Sequence, residues 1–372
     1  RMDLKRFVLG MVTNQFGLPL FTEAYSGNKS DKKSLMEMIQ KTQQAIDLDD
    51  DNFWVADSAL YTEENIKLMG TETKWITHMP ATVAEAQELL NSNLNMIPGS
   101  DPRYAFYATD INYGGVPQRA VVVWSKEMNE RNEKTFERKI EKETVEAGRD
   151  LKKLMRKKFA CIPDADNDLR LWQSSHPHHM LKNVQIMPVM EKSEKKRGRP
   201  KKDELLTASY MIQGEIELND EALIEARKNL GRFVLASNQV DLDPEVMLNY
   251  YKGQQAVERG FRFLKDKSFH VSEVYLKKEE RIEALCMIMV LSLLIYSFAE
   301  WKLRKELKKT GQTVPNQLNK PTQRPTMRWV FEIFMGVIAS VVMDGETIIK
   351  TVIHPTSRMS LIRYSIFHIL GR

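Results

Sequence analysis

Two periodicities alternate along the first part of the chain. KRFVLGMV (residues 5–12) and LPLFTEAYSG (18–27) are apolar-rich runs of strand length on either side of the Gly-containing turn NQFG. Runs of this kind, bounded by turn residues, predict two β-strands. SDKKSLMEMIQKTQQAI (30–46) places Leu35, Met38, Ile39 and Ile46 at helical spacing behind a Ser or Asp cap, which predicts a helix packed on those strands. NFWVADSAL (52–60) is a short apolar strand ending in Asp57; TEENIKLM (62–69) has capping-box character and starts another helix; KWITHMP (74–80) closes the block as a strand. Strands alternating with amphipathic helices fit an α/β fold with a mixed sheet flanked by helices. The alternation breaks off near residue 95.

From residue 96 to about 230 the character changes. YAFYATDINYGGVPQRAVVVW (104–124) is strand-rich, and 125–159 is a highly charged helix whose sparse apolar seam runs through Phe136, Ile140, Ala147, Leu151 and Leu154. So thin a seam suits a helical arm or hairpin better than a core helix. After the basic run KKRGRPKK (195–202), GRFVLASN (231–238) returns as a core strand, and Asp243 with Pro244 makes a helix start. The expected organisation is therefore 1–95 as the first part of a sheet-and-helix domain, 96–230 as a long α+β insertion, 231–305 as its second part, and 306–372 as a helical C-terminal segment. ALCMIMVLSLLIYSFA (284–299) carries no charge. It falls short of the roughly 20 residues a membrane span needs, so it is read as a buried core helix, and no membrane is expected.

The helix that begins at Pro244 carries the most informative stretch, YYKGQQAVERGFRFLK (250–265). A helix turns about 100° per residue. With Tyr251 at zero, Gln254, Glu258, Arg262 and Lys265 then fall within roughly 60° of it, while Val257, Phe261 and Leu264 form a neighbouring stripe that docks on a core. One carboxylate thus sits on a basic face at the edge of a buried surface. Glu258 and Arg262 also have the spacing of an ordinary surface ion pair, and Asp57 alone could be a strand-end turn residue. Neither acid is diagnostic by itself.

Composition narrows the field. With 372 residues, 42% hydrophobic and 28% charged, the chain is of globular type, and its two cysteines provide no disulfide framework, which suits a reducing cytosol. The net charge is only +5, but the Lys and Arg residues cluster, as for a polyanionic partner. The sequence opens at Arg1 directly into strand-like residues, and is expected to be a fragment without its N-terminus.

Tyr251, Gln254, Glu258 and Lys265 together resemble the Tyr-Arg-Glu-Lys signature of bacterial insertion-sequence transposases with an RNase H-like, Asp-Asp-Glu catalytic domain. FGLPLFTEAYSGNKSDKKSL, FWVADSALYTEENIKLM, GRFVLASN and RPTMRWVFEIF resemble further segments of that family, so the likeness spans nearly the whole chain. It implies an RNase H-like fold and DNA cutting and joining by phosphoryl transfer. It also implies Asp57 and Glu258 as catalytic ligands of Mg2+ or Mn2+, with Tyr251, Gln254, Arg262 and Lys265 on the phosphate backbone. Paired divalent cations can activate an attacking oxygen and stabilise a leaving one, and carboxylates hold them economically. The implied partners are double-stranded DNA, as element ends and target, and a second copy in a homodimer; the implied location is the cytoplasm, on the nucleoid.

Two departures qualify the resemblance. Gln254 stands where the family has Arg, which keeps hydrogen bonding but loses a cation; Lys252, Arg259 and Arg262 are the candidates to compensate. The family's first Asp lies on a strand before the segment that here reads RMDLKRFVLG, and Asp3 resembles a later, non-catalytic Asp. That absence favours, as an alternative, a catalytically dead DNA-binding remnant. A stand-alone metal-dependent nuclease ranks lower, because it needs an acid and Lys two residues apart, whereas Glu258 is followed by Arg259 and Gly260.

Arg197, Gly198, Arg199, Pro200, Lys201 and Lys202 resemble an AT-hook, which lies along the narrow, negative minor groove of A·T-rich DNA. The alternative is a solvated basic linker. HPHH (176–179) fits no standard zinc spacing and is read as a loop near DNA. The six Trp residues are expected in packing rather than in base stacking.

Overall fold

The computed structural model describes residues 7–47, 51–192, 206–265, 278–335, 338–344 and 347–353. Its first elements are β1 (Phe7–Thr13), β2 (Pro19–Ser26), α1 (Asp31–Ala45), β3 (Trp54–Ala56), α2 (Glu63–Met69), β4 (Trp75–Met79) and α3 (Ala84–Asn91). Next come β5 (Ile97–Pro98), β6 (Tyr104–Tyr113), β7 (Val116–Ser125), α4 (Lys126–Arg156), α5 (Ile162–Ser175), β8 (His179–Lys192), β9 (Leu206–Leu218), α6 (Asp220–Arg227) and β10 (Arg232–Ser237). The chain finishes with α7 (Pro244–Lys252), α8 (Gln255–Leu264), α9 (Glu279–Thr310), β11 (Val314–Pro315), β12 (Pro321–Thr322), α10 (Met327–Phe334), β13 (Ile338–Asp344) and β14 (Thr347–Ile353).

Six strands form one sheet in the order β3-β4-β10-β7-β6-β5. It is mixed, with β3 parallel to β4 and β5 antiparallel to β6. β1 and β2 pair antiparallel as a separate two-stranded sheet. A mixed central sheet flanked by helices, with further helix toward the C-terminus, is the α/β architecture expected from the sequence and is consistent with an RNase H-like fold. The chain falls into two compact units, one of Arg1–Thr77, Asn112–Gln118 and Ser237–Arg372, the other of His78–Ile111 and Arg119–Ala236.

In the first unit, Met11, Leu264, Val290 and Leu293 form a buried cluster that also takes in Val257, Phe261 and Phe263. The apolar stripe of α8 thus docks on β1 and α9, as its periodicity predicts. The C-terminal half of α9 meets α10 through Leu303, Leu307, Val314, Met327 and Val330. Gly114 and Gly115 both have positive φ, 62° and 77°, the geometry of a tight turn joining right-twisted strands. Beyond that turn the side chain of Gln118 accepts from the Tyr61 hydroxyl at 2.8 Å, and Tyr61 stacks on Tyr113 with centroids 4.9 Å apart.

In the second unit, the seam of α4 is buried at Phe136, Ala147 and Leu151, and Ala147 and Leu151 pack with Trp172 of α5 and with Leu181 and Ile216 of the β8/β9 hairpin. A helix this charged holds its place because one thin stripe is covered. The HPHH segment is also packed on α4. His178 Nδ1 lies 2.7 Å from Glu143, and the buried His179 is 2.8 Å from the Thr144 hydroxyl. Residues 176–178 are non-regular, as expected of a loop, and the segment is tied to α4 because His178 finds a carboxylate there and His179 a hydroxyl.

Two expectations are corrected and a third is extended. Ser30 occupies the N-cap position of α1, but its side chain caps no amide. The apolar run 284–299 is a core helix on one side only, since Met287, Ile288, Leu291, Ile295 and Phe298 are exposed. The C-terminal segment holds the antiparallel hairpin β13/β14 as well as helix. All six Trp residues are buried or half-buried, as expected.

Candidate functional site

Asp57 follows the last residue of β3, and its backbone is fixed from two sides. Its carbonyl accepts from the hydroxyl of the fully buried Thr77 on β4 at 2.7 Å and from Leu60 N at 3.2 Å. Its Oδ1 accepts from Ala59 N at 3.0 Å, a local turn that orients the carboxylate, which itself is exposed. The two readings of Asp57, turn residue and ligand, are thus compatible: the turn uses one oxygen.

Asn238, at the end of β10, links the neighbouring elements. Its Oδ1 accepts from Trp75 N at 3.1 Å, and its Nδ2 donates to Gly70 O and Thr73 O at 3.1 and 2.9 Å. The chain leaves this knot through residues 239–242 into α7, where Asp243 Oδ1 caps Glu245 N at 2.9 Å and Val246 N at 3.1 Å and Pro244 takes the first turn. Tyr250 of α7 packs on Phe53, one residue before β3, with ring centroids 5.2 Å apart.

Tyr251 is consequently half-buried near the end of β3. Its phenol is pushed above the usual tyrosine range, first by burial, then by the negative charges of Asp57 and Glu258. Two acids 201 positions apart in the sequence are therefore in electrostatic reach of one hydroxyl. Glu258 is exposed and makes no ion pair among the described residues, so the i, i+4 pair with Arg262 is not formed.

The stretch 250–265 is two helices rather than one. At Gly253–Gln254 the backbone stays right-handed, but Gly253 N bonds to Tyr250 O, Gln254 N to Tyr251 O, and Val257 N to Gln254 O. These three-residue bonds wind at about 120° per residue instead of 100°, which carries everything after the junction roughly 60° further round. Tyr251 and Glu258 still share a side. Gln254, at the junction, is half-buried, and its Nε2 is buried with no hydrogen-bond partner among the described residues. Arg262 and Lys265 are exposed. Arg259, a candidate to replace the missing cation, instead lies in reach of Arg304: the charges of Arg259 and Arg324 both act on Arg304, whose pKa is lowered mainly by burial.

Two exposed carboxylates and a phenol suit a hard divalent cation, which prefers oxygen ligands. Among the described residues, however, no group of three His, Cys, Asp or Glu side chains is placed to hold a metal ion. Asp3 and the AT-hook-like residues Arg197 to Lys202 lie outside the described residues. Sequence reasoning singled out Asp57, Tyr251 and Glu258 and passed over Thr77 and Asn238, whose side chains tie the neighbouring backbone together. Asn238 did stand at the end of an apolar strand, where a polar residue signals a tie to backbone.

The mixed sheet flanked by helices is consistent with an RNase H-like transposase fold. The family described as "Transposase DDE domain" matches residues 8–295, and the chain belongs to it. Proteins of this family are transposases that act on DNA and in general use divalent metals. No curated protein and no solved structure matches the chain significantly.

Proposed function

We propose that the chain is an insertion-sequence transposase of the Tyr-Arg-Glu-Lys group that cuts and joins DNA by metal-dependent phosphoryl transfer. What supports this reading is the family match over residues 8–295, together with the half-buried Tyr251, whose pKa is raised first by burial and then by the charges of Asp57 and Glu258. Asp57 and Glu258 would hold Mg2+ or Mn2+, and a third carboxylate would complete the set; Asp3 lies outside the described residues. The bound metal would supply charge stabilisation at the reacting phosphate.

The chain's own residues bind and orient. The Tyr251 hydroxyl, protonated at neutral pH like any phenol, would donate to a phosphate oxygen. The unpartnered Nε2 of Gln254 is a second donor, and its buried position makes a bound oxygen its natural partner. Arg262 and Lys265 attract the backbone of the strand being cut. In this organisation 1–95 and 231–305 form the catalytic domain, 96–230 is its insertion and 306–372 contacts DNA or a second subunit. The protein works as a homodimer on the nucleoid.

Glu258→Gln removes a ligand charge while keeping shape, and is expected to lower metal-dependent strand cleavage by about a thousandfold or more, with DNA affinity nearly unchanged. Undiminished cleavage would remove Glu258 from the metal site. Binding without cleavage in the unsubstituted protein would identify the dead remnant instead.

Residues 195–202 lie between Lys192 and Leu206, which pair at the end of the long β8/β9 hairpin. Arg197 and Arg199 would enter a minor groove, with Gly198 allowing close approach and Lys201 and Lys202 on phosphates. Replacing both Arg residues with Ala is expected to weaken binding to A·T-rich duplex about tenfold and to reduce the salt slope by about two. An unchanged titration would return the segment to a linker.

A further inference from the structure

Helix α9 has two apolar faces. Cys286, Val290, Leu293, Leu303 and Leu307 are buried against the rest of their unit. On the other side Met287 (69% exposed), Ile288 (62%), Leu291 (52%), Ile295 (65%) and Phe298 (46%) face outward. Ala284, also exposed, Ile288, Leu291, Ile295 and Phe298 are spaced four, three, four and three apart. That is the 3.5-residue repeat by which one helix packs its seam into another. The seam is about 21 Å long at 1.5 Å per residue and ends at Arg281 and Lys302. It continues through Trp301, whose ring is 5.8 Å from Phe298 and 5.5 Å from the exposed Phe16. Soluble monomers seldom leave so long an apolar strip uncovered.

Charge selects the occupant and its direction. Residues 278–283 carry three acids against two bases, and residues 300–309 carry five bases against two acids. Two copies side by side in the same direction would set basic end against basic end. Opposite directions set basic end against acidic end and also oppose the helix dipoles. We propose that α9 pairs with α9 of a second copy, antiparallel about a two-fold axis near Leu291, so that Ile288 faces Ile295 and Ala284 faces Phe298 across the interface. This pairing rests on the homodimer reading above, for which it names the interface, and not on phosphoryl transfer: a cleavage-dead protein pairs equally well, and a dimer indifferent to substitutions in α9 would overturn the interface alone.

Sedimentation equilibrium of the 372-residue chain tests it. The unsubstituted protein is expected to be a dimer at micromolar concentration. Ile288→Glu alone, or Ile295→Lys alone, buries two unpaired charges in the seam and is expected to raise the dimer Kd by about a hundredfold or more. Both positions are exposed within one chain, so each variant keeps the far-ultraviolet circular dichroism spectrum of the parent, which separates lost pairing from lost folding; its thermal transition falls only by the stabilisation that pairing supplied. An equimolar mixture of the two variants is expected to restore the dimer, because the new Glu then meets the new Lys; a parallel pair brings no such meeting. A monomeric parent protein, a dimer indifferent to both substitutions, or no rescue in the mixture would overturn the proposal. So would cosedimentation with phosphatidylglycerol vesicles in place of self-association.

Discussion

Tyr251 is where the two acids meet electrically, and its proton reports on them. Burial, Asp57 and Glu258 all raise its pKa in the folded state, above an unfolded value of about 10. Above that pH the unfolded chain loses the proton while the native phenol keeps it. The stabilising contribution is therefore complete below about pH 10 and declines as pH rises further. Tyr251→Phe is expected to lose less stability than the parent between about pH 9 and about pH 11, measured by urea unfolding at each pH. Equal declines would mean that the acids do not act on this hydroxyl. The residue types of this site were legible in the sequence because helical spacing gathers Tyr251, Glu258 and Lys265. The tie of Asp57 to Thr77 was not legible, since it depends on which strands are neighbours.

At the level of elements, Gly260 explains how α8 brings Glu258 so near the core edge. A Cβ on Gly260 would lie 3.0 Å from Met11 Cε and 3.1 Å from Leu293 Cδ2, so helix, strand and α9 close around a missing side chain. Gly260→Leu is expected to cost about 1–3 kcal/mol by overpacking, measured by denaturant midpoint. It is also expected to lower cleavage more than DNA binding, since it displaces Glu258 from β3; no change in either would deny the close approach. Periodicity revealed α1, α2, α4 and the inner stripe of α8 because each has one covered face. It did not reveal the break at Gly253, which leaves the backbone right-handed and the composition helical. It misjudged α9, whose uninterrupted apolar run conceals that only one side is covered. The β13/β14 hairpin had a signal that was not used: Asp344-Gly345 between two apolar runs, a strong turn dipeptide.

For the whole molecule, the family, the mixed sheet and the two acids lead to one claim, that Asp57 and Glu258 share a divalent cation beside DNA. The proposed roles of residues 195–202 and of the exposed seam of α9 concern binding to DNA and to a second copy, and either could fail without touching that claim. The most direct measurement replaces Mg2+ with Fe2+ on the DNA-bound protein, adds ascorbate and peroxide, and maps where radicals generated at the metal cut the polypeptide. The account predicts cuts close to Asp57 and Glu258, both suppressed by excess Mg2+ and both lost in Glu258→Gln. Cuts elsewhere in the chain, or cuts that persist unchanged in Glu258→Gln, would contradict it.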